Sequence, residues 1–180
     1  MTQSYTMNDE AGDLFCEADE KYDALKERLT SAEVTSATHS EVEKLLDTEG
    51  REVLRVLYQS HLAVRSEAYP EGIVTGDDGV TRTHQRDGTG RQLPSIFGPV
   101  EVVRTAYTQR GSDSRFPLDA DLNLPDDKYS FEVHRRTAVG AAQNSFDNTV
   151  ETLADTTGAH VPKRQVEELV VKAARDFEAF

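Results

Sequence analysis

From Leu14 onward the apolar positions Phe15, Ala18, Tyr22, Leu25 and Leu29 recur at steps of three and four, which places them on one face of a helix. A Ser/Thr-rich stretch from Thr30 to Ser40 reads as a break. A second helix follows, with Val42, Leu46, Val53, Leu57 and Val64 along one stripe, supported by Leu45 and Leu54. Gly50 interrupts it, at a cost of about 1 kcal/mol relative to Ala, so a bend is expected there. The helix should stop before Tyr69-Pro70, because a residue preceding proline resists the helical conformation. The pair reads as a helical hairpin. Its apolar seam spans only about two heptads, so packing within the monomer is favoured over pairing with another chain.

The period then changes. Val80 to Arg86 is rich in β-formers and lies between two turn signals, Asp77-Asp78-Gly79 and Asp87-Gly88-Thr89-Gly90. The runs Gln92–Phe97 and Val100–Thr108 flank Gly98-Pro99 and read as a tight reversal. Three antiparallel strands are expected, with a helix over one face, since so small a sheet has little stability alone. Residues 111–128 carry two prolines and several Asp, and read as an irregular connector anchored by Phe116, Leu118, Leu122 and Leu124.

Beyond the connector the helical period returns. Ser130 is placed to cap a helix through Phe131, Val133, His134 and Ala138, and Asn144 or Ser145 to cap a second one containing Phe146, Val150, Leu153 and Ala154. Gly158 is expected to end that helix in the left-handed conformation. Pro162 opens a third, where its missing N–H costs nothing, with Val166, Leu169, Val170, Ala173 and Phe177 on the apolar face. The fold class is thus α+β and mostly helical. A helical arm spans 1–70, a small antiparallel sheet of two to three strands with its connector spans 71–128, and a three-helix segment with a helix-turn-helix-like pair spans 129–180.

Charge narrows the function. The net charge is −13, and 13 of the 33 acidic residues fall within residues 1–50, whose net charge is −9; the segments 51–128 and 129–180 each carry −2. That distribution excludes a polybasic coat protein but leaves room for a local DNA-contacting surface. No apolar run approaches the ~20 residues that span a bilayer, the first twenty residues lack the basic and apolar regions of a secretory signal, and a single cysteine, Cys16, excludes an internal disulfide framework. A reducing, cytoplasmic setting is expected.

In a helix, short turn, helix arrangement the first helix braces the second, whose N-terminal residues enter the major groove. Here those residues are Lys163, Arg164 and Gln165, with Glu168 one turn on and Lys172 beyond; Arg135 and Arg136 form a second basic pair. Lys and Arg suit phosphate or guanine, and Gln pairs with adenine. The same pattern also fits a three-helix core whose basic turn is merely solvated. Phe97 and Tyr107 suit cross-strand packing, with base stacking as the alternative. No metal site is expected: Asp119 and Asp121 sit in a loop where Asp is common, and the five histidines are dispersed. Catalytic residues are expected to be absent.

The strings GRQLPSIFGPVEVVRTAY, FPLDADLNLPDDKYSFEVHRR, SFDNTVETLADTTG and VPKRQVEELVVKAARDFEAF, in that order, resemble the amino-terminal region of Kra-type (IS-Kra-four) insertion-sequence transposases, over about residues 50 to 180. The resemblance implies a module that recognises the terminal repeats of a transposable element in double-stranded DNA. In that family a DDE catalytic domain follows, holding divalent metal such as Mg2+ on three carboxylates. This sequence stops at Phe180, so no enzyme activity and no cofactor are expected of it. Where some relatives carry a CxxC-like pair, this chain has Thr108-Gln109-Arg110-Gly111, and no zinc site is carried over. The alternative reading is an oligomerisation module acting on itself or on full-length transposase, or an inactive remnant.

Overall fold

A computed structural model describes residues 14–67 and 72–177, the last two in backbone only. Among the described residues seven helices and five strands follow one another: α1 (Cys16–Leu29), α2 (Ala32–Thr35), α3 (His39–Glu67), β1 (Val74–Thr75), β2 (Thr81–Arg82), β3 (His84–Ser95), β4 (Gly98–Gln109), β5 (Ser112–Arg115), α4 (Pro117–Asp121), α5 (Phe131–Gln143), α6 (Phe146–Thr156) and α7 (Lys163–Phe177). The fold is α+β and mostly helical, with a two-stranded sheet β1-β2 and a three-stranded sheet ordered β3-β4-β5. The helix end expected ahead of Pro70 falls outside the described residues.

The chain divides into two units. The first runs to Arg91 and resumes at Glu101–Asn123; the second holds Gln92–Val100 and everything from Leu124. The long β3–β4 hairpin therefore contributes its base to one unit and its tip to the other.

In the first unit α1 packs against α3 through Ala18 and Leu25 on one side and Val53 and Val56 on the other. The break at 30–38 contains α2, whose start is capped by the Ser31 hydroxyl accepting from Val34 N–H. The expected stripe on α3 is rotated. Val53, Val56, Ser60 and Leu62 face inward, whereas Leu46, Leu54 and Leu57 are 41%, 47% and 38% exposed. The second half of α3 serves the hairpin instead. The Gln59 amide donates to the Glu101 carbonyl at 2.9 Å and accepts from the Glu101 N–H at 2.8 Å, and the Ser66 hydroxyl donates to the Val103 carbonyl at 2.6 Å. These side chains satisfy backbone groups of β4 that would otherwise lack a partner.

The strands differ from the expected three. Val80–Arg86 does not form one strand: Thr81 and Arg82 pair antiparallel with Thr75 and Val74. Asp87–Gly90 is no turn either, because β3 runs straight through it with Gly88 at φ 69°. The third strand, Ser112–Arg115, comes from the segment read as connector. Within β4 every second residue from Gly98 to Ala106 is buried, the alternation of a sheet with one covered face. Arg104 occupies one of those inward positions, its guanidinium on the Phe116 ring and bonded to Asp119 at 2.5 Å. Arg82, fully buried, donates to both Asp78 carboxylate oxygens and to the carbonyls of Asp113 and Val80. A buried guanidinium persists only when it is satisfied in this way.

The second unit has one contiguous core: Tyr129, Val133, Leu153, Ala159, Val161, Val166 and Leu169, with Ile96, Phe146, Val150 and Val170 packed against it. Ser130 and Ser145 cap α5 and α6, accepting from Val133 and Asn148 N–H. Gly158 departs from the expected left-handed stop, since its φ is not positive. It is glycine for a different reason. Its N–H donates to the Ile96 carbonyl at 2.8 Å, and a Cβ there would sit 2.6 Å from the Gly98 nitrogen and against the Phe97 carbonyl oxygen. The helix end is closed instead by Thr157, whose hydroxyl donates to the Leu153 carbonyl and accepts from Ala159 N–H.

Candidate nucleic-acid interface

The helices α6 and α7 are separate, joined by residues 157–162, and Gln165 and Val166 N–H donate to the Pro162 carbonyl as α7 begins. Val161, Val166 and Leu169 are buried, so the first turn of α7 is held by its apolar side. Its polar side faces water: Lys163 is 51% and Arg164 87% exposed. Ala173, expected on the apolar face, is exposed. The outermost row of α7, at helical spacing, reads Arg164, Glu168, Val171 and Arg175, all exposed.

The predicted cations are paired within the second unit. Lys163 Nζ lies 2.8 Å from Asp147. Glu168 accepts from both Arg164, at 3.0 Å, and the Gln165 amide, at 2.8 Å. On α5 both Arg135 and Arg136 donate to Glu132, at 2.7–2.8 Å and 3.1 Å. Those two arginines hold the Glu132 carboxyl at about 2, far below its ordinary value. Lys172 Nζ meets Asp127 at 2.7 Å, and His134 Nε2 is also 2.7 Å from that carboxylate. Burial pushes the Asp127 carboxyl upward, but the Lys172 hydrogen bond and the charges of His134 and Lys172 outweigh it and leave the group below its ordinary value.

Lys172 therefore ties α7 to the segment ahead of α5, while Lys163 and Arg164 stand exposed at the tip with Gln165 half-buried beside them. Exposed pairs of this kind contribute little, about 0–1 kcal/mol each, so phosphate can replace the carboxylate at small cost. The five cations Lys163, Arg164, Lys172, Arg135 and Arg136 face Asp147, Glu168, Asp127 and Glu132, and the surface is nearly neutral overall.

Sequence reasoning missed Arg175, which continues the outer row of α7 with no ion pair among the described residues. Its position eleven residues after Arg164 was the available signal. Of the acidic partners it named Glu168 but not Glu132, Asp147 or Asp127, the last 45 residues from Lys172 in sequence. Tyr107 is buried, so the stacking alternative fails for it. No cluster of three or more His, Cys, Asp or Glu able to hold a metal ion occurs among the described residues, and no helix among them is long and apolar enough to cross a membrane. Compared with family profiles, with curated proteins and with solved structures, the chain matches none.

Proposed function

We propose that this chain is a DNA-binding module that recognises the terminal repeats of a transposable element, with α7 as the reading helix and no catalytic step of its own. One observation carries the reading: a helix seated by its apolar side presents Lys163 and Arg164 to solvent on its first turn, with Gln165 half-buried beside them, separated from the bracing helix α6. Those residue types match phosphate, guanine and adenine contacts. Peptide N–H groups at the same helix start add favourable interaction with phosphate. Arg135 and Arg136, on α5 of the same unit, supply backbone contacts. The family resemblance of residues 50–180 agrees with this assignment, and the merely solvated basic turn is the reading it competes with. The near-neutral surface implies weak non-specific binding and therefore a high ratio of specific to non-specific affinity.

A gel-shift titration against duplexes carrying the terminal repeat and a scrambled control tests it. Preferential binding to the repeat is expected. Replacing Lys163, Arg164 and Gln165 by Ala should weaken it about 10- to 100-fold and flatten the dependence of log affinity on log salt by about 2. Equal affinity for both duplexes, or full affinity in the triple variant, sinks the proposal.

A further inference from the structure

Leu46, Leu54 and Leu57 stand exposed on α3, and with Gly50, His61 and Val64 they form one row whose steps average 3.6 residues. That period keeps the row on one side of a straight helix for about 27 Å. Neither α1 nor the hairpin covers these leucines. Gly50, the second position of the row, is unfavourable inside a helix relative to Ala, and among the described residues nothing lies within 4 Å of where its Cβ would be. Those residues give no packing reason for glycine there. It leaves a notch in an apolar ridge, bounded by Leu46 and Leu54 one turn to either side.

The charges on α3 are polarised. Residues 41–49 hold Glu41, Glu43, Asp47 and Glu49 against Lys44, whereas residues 51–65 hold Arg51, Arg55 and Arg65 against Glu52. A second copy laid parallel would set acid against acid. Laid antiparallel, with the two-fold axis near Leu54, it sets Glu43 opposite the second copy's Arg65 and Asp47 opposite its His61. The same register brings Leu57 within one residue of the second copy's Gly50 notch. Arg65 has no ion pair within its own chain among the described residues, and Glu43 has only the 3.4 Å contact with His39. Apolar row, notch and charge order thus fit one occupant.

We propose that α3 is a self-association surface through which two copies of this chain pair antiparallel in an isologous two-fold dimer. The inference is independent of the DNA-binding reading. Sedimentation equilibrium of the full chain up to about 100 μM is expected to show a monomer–dimer equilibrium. Leu54→Glu and Leu57→Glu, both at exposed positions, should weaken the dimer at least about tenfold while leaving the circular dichroism and melting temperature of the monomer intact. Glu43→Arg should weaken it too, and adding Arg65→Glu should restore it, a rescue that parallel pairing does not give. A wild-type chain that remains monomeric throughout, leaving the row to some other partner, overturns the proposal. So does a dimer that survives Leu54→Glu unchanged or a charge swap that fails to rescue.

Discussion

The helices α5–α7 and the pair α1–α3 face the same problem, that each must bury an apolar stripe, and they reach different ends. In the former, Val133, Leu153, Val166 and Leu169 converge with Tyr129 and the hairpin tip into one closed core, and Phe131, Val139 and Val171 stand scattered among the charged side chains left outside. In the latter, α1 lies on the Val53 and Val56 face of α3, and Leu46, Leu54 and Leu57, on another face, remain exposed. Amphipathic periodicity alone therefore says that a helix packs, but not against what.

The largest expected effect separates the two regions by stability. Leu153→Ala leaves a cavity in the closed core and should destabilise by about 2–5 kcal/mol, whereas Leu54→Ala should stay within about 0.5 kcal/mol; urea denaturation of both variants measures this. Equal losses would erase the distinction. A smaller effect is expected where backbone meets backbone. Gly158→Ala forces a methyl onto the Phe97 carbonyl and the Gly98 nitrogen, and should cost about 1–3 kcal/mol by thermal unfolding; an unchanged melting temperature would mean that the tip yields freely. The smallest concerns pH. Because Arg135 and Arg136 depress the folded-state Glu132 carboxyl to about 2, its contribution is present above the unfolded value near 4.5 and is lost as pH falls toward 2. Glu132→Gln should flatten the fall in melting temperature between pH 5 and 2. The carboxylate is over a third exposed, so the flattening is slight.

Much of the second unit was legible because its signals are local. A capping serine reports on an N–H three residues away, so Ser130 and Ser145 could be placed from sequence. The exposed basic turn of α7 followed from the 3.6-residue period and Pro162. What failed depends on distant partners. Gly158 looked like a helix stop because a glycine after an apolar run usually is one; its actual constraint is a strand 60 residues earlier. Asp87–Gly90 looked like a turn, yet glycine also tolerates φ 69° inside a strand. Ser112–Arg115 carries no β-forming side chains and pairs with Tyr107 and Gln109 through its backbone. On α3 the apolar residues occupy two angular positions, and only tertiary contact decides that small Ser60 turns in while Leu57 turns out. On α7 the cations and Glu168 were visible in sequence, whereas the pairing of Lys163 with Asp147 and of Lys172 with Asp127 was not.

The hairpin tip has a practical consequence for anyone wishing to graft α7 and its bracing helices onto another scaffold. Ser130 and Gly158 N–H groups donate to the Pro94 and Ile96 carbonyls. An excised stretch beginning at Leu124 would carry both donors into its interior with no acceptor. The smallest transplantable piece is thus discontinuous along the chain, and a portable version must carry the Gln92–Val100 ribbon with it, by circular permutation or a designed linker.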